Sequence, residues 1–152
     1  MVAPGMFIVR LTSNGNVQSQ QLGVRGDPRA TRDGITTAIL REQLAHNLRV
    51  RDLTTQVNLA VAQLGDASRS QTDAALLRRL KAMQQLLMTP PIRYSEPGLQ
   101  AHIQYLYTAA LSADQKVGRD AQLRYVELKR QLDAALVQLR EIMRSVSVKA
   151  LD

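Results

Sequence analysis

The chain has 152 residues, a formal net charge of +7 and no cysteine, so it has the length of one domain and lacks disulfides, thiol nucleophiles and thiolate metal sites. Apolar residues make up 45% of it, with one Phe, four Tyr and no Trp, which predicts a core of aliphatic side chains packed helix against helix. No window approaches the roughly 20 apolar residues of a membrane-spanning helix, and the first residues lack the pattern of a signal peptide.

The first predicted element is a β-hairpin. Phe7, Val9 and Leu11 alternate with residues of the opposite face, and Asn14-Gly15 tolerates the positive φ angles of a tight turn. The return strand would cover residues 17–24. Because two strands alone are marginal in water, the hairpin either leans on the helices or is the trailing edge of a β domain supplied by another segment.

A long helix is predicted next, capped by Thr31 or Asp33 and ended by Gly65, with residues 66–70 in a surface turn. Its apolar spacing shifts near residues 48–50, where the contact stripe would rotate or change partner. The stripe reads Ile35 or Thr37, Leu40, Leu44, Leu48, Val50, Leu53, Val57, Ala60 or Val61, and Leu64.

Two shorter helices follow. The first is predicted from about Gln71 to Met88, where two consecutive prolines stop it because neither can donate to the helix ladder. The second is predicted to begin with Ser95 as its N-cap and Pro97 in its first turn, and to finish near Ser112. Residues 113–118 then form a linker.

The most regular stretch is the last predicted helix, from about Arg119 to Val146. Its apolar residues are spaced alternately four and three apart without a break. They are Ala121, Tyr125, Leu128, Leu132, Ala135, Leu139, Ile142 and Val146. Such a seam must be covered by other helices, so the sequence predicts a mainly α fold: a four-helix antiparallel bundle over residues 30–152, preceded by a short β-hairpin within residues 1–29.

Residues that could carry chemistry are few. Glu42 and His46 stand four apart, as in metal-binding helices, but no other helix offers a counterpart, so neither a metal site nor a cofactor is predicted. His46 and His102 are expected at the surface or its boundary. The sequence contains no phosphate-binding loop and no nucleophile elbow, and we predict no enzyme activity. An enzyme would instead need buried carboxylates near one of these histidines.

The positive charge admits binding to nucleic acid or to an anionic surface. The basic residues are spread along the chain, however, and acidic residues fall on the same helices, as on a solvated face of mixed charge. Tyr94, Tyr105 and Tyr107 could stack on bases beside Arg93, but residues 105 and 107 project from different sides of a helix. We therefore expect these tyrosines to pack against the bundle with their hydroxyls in water.

The hairpin and the residues after it carry a resemblance to a known family. The motif reads Ala3-Pro4-Gly5-Met6-Phe7-Ile8-Val9-Arg10-Leu11-Thr12, then Asn14-Gly15, Gln21-Leu22-Gly23-Val24 and Asp27-Pro28-Arg29. It resembles the end of an immunoglobulin-like or fibronectin-like module in bacterial exported β-propeller proteins, often labelled sortilin-like, BNR-repeat or glycosyl-hydrolase-like. In those proteins the pattern leads into a helical C-terminal region. Phe7 stands where the pattern has tyrosine.

The resemblance implies that the chain is the C-terminal part of a larger exported protein, located in the periplasm or outside the cell. The hairpin would be the trailing part of a truncated immunoglobulin-like module, and the hydrolase label would transfer no activity, since the propeller would carry any ligand recognition. We predict a non-catalytic helical accessory module that packs through its helix faces against the parent polypeptide or another protein. The alternative is a small basic helical protein that binds nucleic acid or anionic surfaces. The oligomeric state is left open.

Overall fold

A computed structural model of the chain describes residues 2–149. Its elements are the strands β1 (Gly5–Ser13) and β2 (Asn16–Val24) and the helices α1 (Pro28–Arg32), α2 (Thr37–Ser70), α3 (Ala74–Leu87), α4 (Leu99–Ala110) and α5 (Arg119–Lys149). The predicted mainly α fold with a β-hairpin in front of the helices is confirmed. Residue 1 of the predicted hairpin segment (1–29) and residues 150–152 of the predicted bundle segment (30–152) lie outside the described residues.

The hairpin is a regular antiparallel pair of nine-residue strands. Gly5 lies opposite Val24 and Ser13 lies opposite Asn16. The turn between the strands places Asn14 at φ 48° and Gly15 at φ 80°. Two positive φ angles in succession are the requirement of a tight two-residue hairpin turn, which explains the Asn-Gly sequence at this point.

The start of the long helix differs from the prediction, because a short helix precedes it. The Asp27 carboxylate accepts a hydrogen bond of 2.8 Å from the backbone N–H of Arg29 and caps α1. The N-cap of α2 is Thr36, whose hydroxyl accepts a bond of 3.3 Å from the N–H of Ile39. The assignment of this cap to Thr31 or Asp33 was therefore wrong, since both residues belong to α1 or its end.

The end of α2 was also predicted wrongly. The helix continues through Gly65 as far as Ser70, and the residues assigned to a surface turn form its last turn. Ala67 lies in that turn and is buried in the core. A glycine inside a helix costs only about 1 kcal/mol relative to alanine, so the packing of this last turn outweighs it.

The beginning of α4 corrects a third predicted boundary. Ser95 does not cap the helix, because its hydroxyl donates to the carbonyl of Pro90 at 2.8 Å. The N-cap is Gly98, which provides no side-chain cap, and its own N–H donates to the Thr89 hydroxyl at 3.1 Å. The hydroxyl groups of Ser95 and Thr89 thus form hydrogen bonds that link the two ends of the connection between α3 and α4.

The helices form three rods, because α3 and α4 follow each other end to end along α2. Gln84 of α3 donates to Ser68 near the end of α2 at 3.1 Å, and Gln100 of α4 donates to Asn58 near its middle at 2.9 Å. The second rod, α3 and α4 together, therefore runs antiparallel to α2.

Helix α5 contacts α2, α3 and α4. It runs in the same direction as α2, because Tyr125 meets His46 and Leu139, further along, lies in one groove with Ala60.

One aliphatic core fills the space between the rods. Its buried members within the described residues are aliphatic side chains and one methionine, as the composition led us to expect, while Tyr107 and Tyr125 pack against it partly buried. Its buried members are Val50, Leu53, Val57, Ala60, Leu64, Ala67, Leu80, Met83, Leu87, Leu99, Ile103, Leu106, Leu128, Leu132, Ala135, Leu139 and Ile142.

Candidate functional site

The seam residues of α5 lie on the inner face of the helix. Buried among them are Leu128, Leu132, Ala135, Leu139 and Ile142. Ala121, Tyr125 and Val146 are partly buried against the same cluster. This face contacts α2, α3 and α4, so these side chains hold the bundle together.

The hairpin stands apart from the rods. Neither strand comes within 8 Å of a helix, measured between Cα atoms of the described residues. Only the base of the hairpin is anchored, where Ala3 is buried and Gly26 lies beside Leu40. Of the two alternatives left by the sequence, the hairpin therefore does not lean on the helices.

One face of the hairpin is apolar and exposed to solvent. Phe7 pairs with Leu22, and Val9 and Leu11 lie on the same face, where Leu11 is 64% exposed. Each strand pairs only with the other, so both outer edges present unpaired backbone groups. Arg10 is the single charged side chain within the two strands. Natural sheets protect such edges with charge or a covering element, and apart from Arg10 neither is found among the described residues.

A group of polar side chains is buried at the end of the bundle where α2 and the α4–α5 connection meet. Gln43, His46 and Asn47 are its members. The amide of Gln43 donates to the carbonyls of Ala113 at 2.6 Å and Ala110 at 3.3 Å. Three polar side chains are therefore buried beside the aliphatic core that the composition predicted, and the expectation that His46 lies at the surface or its boundary was wrong.

The two amides have a structural role. A helix leaves its last carbonyl groups without partners inside the helix, and α4 ends at Ala110. Asn47 donates to this carbonyl at 3.1 Å, while the Gln43 side-chain oxygen accepts from the N–H of Gln115 at 3.3 Å. The pair thus fixes the C-terminal end of α4 and the linker to α5. A glutamine and an asparagine one turn apart were the only sequence signal for it.

His46 differs from its two neighbours, because neither of its ring nitrogens has a hydrogen-bond partner among the described residues. The side chain is 2% exposed and meets the ring of Tyr125 edge-on, with ring centroids 5.9 Å apart. The Arg49 guanidinium lies 5.4 Å from the same tyrosine ring. Burial, with a smaller contribution from Arg49, lowers the pKa of His46 from its ordinary value of 6.5. The imidazole is therefore neutral at neutral pH.

This neutral burial predicts a loss of stability in mild acid. Because the folded pKa lies below 6.5, the unfolded chain takes up the proton first as the pH falls through that value, and folding is penalised by up to about 1.4 kcal/mol per pH unit. The penalty stops growing below the folded pKa. His46→Leu should remove this decline in denaturant melts between pH 7.5 and 5. The matched variant His102→Gln keeps His46, so its stability should still fall with pH. If the stability of His46→Leu fell with pH as much as that of the unaltered chain, His46 would not be the cause.

Glu42 and His46, which are spaced four apart, do not gain further ligands within residues 2–149. Glu42 is exposed while His46 is buried. Within residues 2–149, no three or more His, Cys, Asp and Glu side chains lie close enough together to hold a metal ion. His102 is half-buried on α4, which is the boundary position that the sequence predicted.

The three tyrosines near the third predicted helix occupy different environments. Tyr107 packs partly buried against the core, as expected. Tyr105 is exposed on α4, and Tyr94 is 89% exposed with φ 63° and the Arg93 guanidinium 4.9 Å from its ring. The expectation that all three pack against the bundle was wrong for these two, and their rings do not share a stacking surface with Tyr107.

Basic and acidic side chains lie close together at several places on the surface. The ion pairs of the described residues are Arg29–Asp27, Arg51–Asp52, Arg69–Asp66, Lys129–Asp133 and Arg130–Glu127. Each joins residues close in the chain, and all are solvent-exposed. Exposed pairs of this kind contribute little to stability because water screens them, so they describe the surface charge rather than the source of stability.

The pKa of Glu127 tests whether its exposed ion pair with Arg130 forms in solution. The Arg130 guanidinium, followed by the Gln131 amide, lowers the pKa of Glu127 from 4.5 to about 2. A depressed folded pKa means that the pair stabilises the fold above pH 4.5 and that its contribution is lost as the pH falls towards 2. A carboxyl ¹³C titration should give this low midpoint, and Arg130→Ala should move it towards the ordinary value. A midpoint near 4.5 in the unaltered chain would contradict the pairing.

No helix within residues 2–149 combines the length and the apolar character needed to cross a membrane. A search of protein-family models, curated proteins and solved structures gave no match to this chain.

Proposed function

We propose that the chain is a non-catalytic helical accessory module whose hairpin joins a β-sheet supplied by another polypeptide segment. The observation that carries this proposal is the exposure of the hairpin. It has an apolar face, two unpaired edges and no helix behind it. A two-stranded sheet is marginal in water by itself, and addition to a neighbouring sheet supplies both backbone bonds and cover for the apolar face.

The resemblance of the hairpin sequence suggests where that sheet comes from. In the proposal it belongs to an immunoglobulin-like module of a larger exported β-propeller protein, in the periplasm or outside the cell. The bundle is then a rigid support joined to the base of the hairpin. The use of Gln43 and Asn47 to bond backbone carbonyls supports a structural rather than catalytic role for the polar interior.

Hydrogen exchange on the full chain tests the need for a partner sheet. The amides of β1 and β2 should exchange much faster than those of α2 and α5, because only the helices have packed cover. Extending the chain with the coding sequence found in frame upstream should slow exchange in the hairpin. Protection of the hairpin equal to that of α5 in the chain by itself would contradict the proposal, as would an upstream sequence that encodes no β module.

The alternative is a basic helical protein that binds nucleic acid or anionic surfaces. The mixing of acids and bases in the five ion pairs ranks it second, since a nucleic-acid surface concentrates one sign of charge along one face. Retention of the chain on DNA should be absent even at low ionic strength, where phosphate contacts are strongest. Tight, salt-sensitive retention would reverse this ranking.

A further inference from the structure

A groove runs along the outside of the bundle between α2 and α5. This α2–α5 groove has a volume of about 750 Å³, and no residue of α3 or α4 lines it. Ala60 and Leu139 are its buried members, and Leu136 and Met143 are partly buried. Leu59 stands at its edge and is 61% exposed. The groove is therefore an apolar surface between two parallel helices that the second rod does not cover.

The charge at the groove has one sign. Arg140 and Arg144 line it one helical turn apart, and neither forms an ion pair with another described residue. On the α2 side, the polar lining residues are the uncharged Gln56 and Gln63. No acidic residue among residues 2–149 lines this groove. A molecule that fills it gains most if it is apolar on one side and negatively charged along one flank.

We infer that the α2–α5 groove binds an acidic amphipathic helix of a partner protein, which lies along the two helices as an additional rod. A helix presents apolar residues at intervals of three and four and carboxylates at intervals of four on the adjacent flank. The interval of four between carboxylates matches the spacing of Arg140 and Arg144. From Leu136 to Ser147 the groove follows α5 for about 16 Å, the length of three turns.

Charge complementarity selects this occupant over a second copy of the chain. In a symmetric dimer the same patch meets itself, so two copies joined through the groove would bring the arginine pairs of both chains together. An acidic helix instead forms charge-assisted bonds with both guanidinium groups. The inference does not depend on the hairpin, which lies outside the rods.

Two synthetic peptides of about 18 residues test the inference, a length at which amphipathic helices begin to form in water. Both carry the same leucine stripe, and one has glutamates on the flank where the other has lysines. In fluorescence anisotropy with the full chain, the glutamate peptide should bind at least about tenfold more tightly than the lysine peptide, and added salt should reduce this preference.

Variants locate the binding site. Arg140→Glu combined with Arg144→Glu should reverse the preference between the peptides. The control combines Arg78→Glu with Lys81→Glu, two exposed residues of α3 outside the groove. It makes the same change in net charge and should leave the preference as it was. Leu59→Gln should weaken binding of both peptides, since it removes an exposed apolar contact without touching the core.

Several outcomes would overturn the inference. Equal binding of the two peptides, no binding of either, or loss of the preference in the α3 control would each do so. Sedimentation velocity is measured on the same samples, and a dimer that dissociates in Leu59→Gln would assign the groove to a second copy. Competition by sodium dodecanoate at concentrations below those of the peptide would assign it to a fatty acid.

Discussion

Leu132→Ala is expected to lower the free energy of unfolding by about 2–5 kcal/mol, the range for a large-to-small substitution in a packed core. Leu132 lies in the middle of α5, is fully buried and belongs to the single aliphatic core. Removing its side chain leaves a cavity between rods that are held mainly by such contacts. Urea denaturation followed by circular dichroism at 222 nm measures the change directly.

Val126→Ala is the matched control for this prediction. Val126 lies on the same helix but is 62% exposed, so its truncation should change stability by no more than about 0.5 kcal/mol. Similar losses for the two variants would mean that the face of α5 carrying Leu132 is not the one that packs. A loss below about 1 kcal/mol at Leu132 would mean that the core is not close-packed around it.

The elements that the sequence predicted well are those with strong local patterns. The seam of α5 repeats at four and three residues throughout, and Asn14-Gly15 has one favoured use between alternating strands. Both signals depend on residues close together in the chain, so no knowledge of the tertiary fold is needed to find them. The helix boundaries at Gly65 and Ser95 were harder, since tertiary packing and side-chain bonds outweighed the local cap signals.

The first half of α2 shows where sequence reasoning fails. The sequence placed Leu44 and Leu48 in the apolar stripe, but Leu44 is only partly buried and Leu48 is exposed. The stripe instead passes through Gln43, His46 and Asn47. Two of these polar residues bond backbone groups that lie more than 60 residues further along the chain. No local pattern identifies such partners. The sequence therefore predicted a shift of the apolar stripe near residues 48–50, whereas the buried face continues there through polar residues.

The arrangement of the helices was also beyond local patterns. Four amphipathic helices with short connections are compatible with four rods side by side, and only the contacts show α3 and α4 placed end to end. This arrangement has a functional consequence. Because one rod consists of two helices, nothing among the described residues covers the second side of the α2–α5 pair, and the α2–α5 groove remains open.

The junction between α3 and α4 supplies the last prediction: Gly98→Ala should destabilise the fold by about 1–3 kcal/mol, the usual cost of forcing an extra group into packed structure. A Cβ atom at Gly98 would lie 2.7 Å from the carbonyl oxygen of Met88 and 2.8 Å from that of Leu87. These are backbone atoms at the end of α3, and they cannot rotate away as a side chain would. The φ angle of Gly98 is −72°, so the close approach rather than backbone conformation requires glycine.

Gly65→Ala is the opposite case and the control for this prediction. Gly65 lies within α2, where an added Cβ meets only the end of the Arg69 side chain at 3.6 Å. Alanine should therefore raise stability by about 0.5–1 kcal/mol, because it loses less backbone entropy than glycine on forming a helix. The two variants should shift the urea midpoint in opposite directions. If Gly98→Ala instead matched Gly65→Ala, the end of α3 would not press on the start of α4, and the second rod would lack the tight junction that makes it continuous.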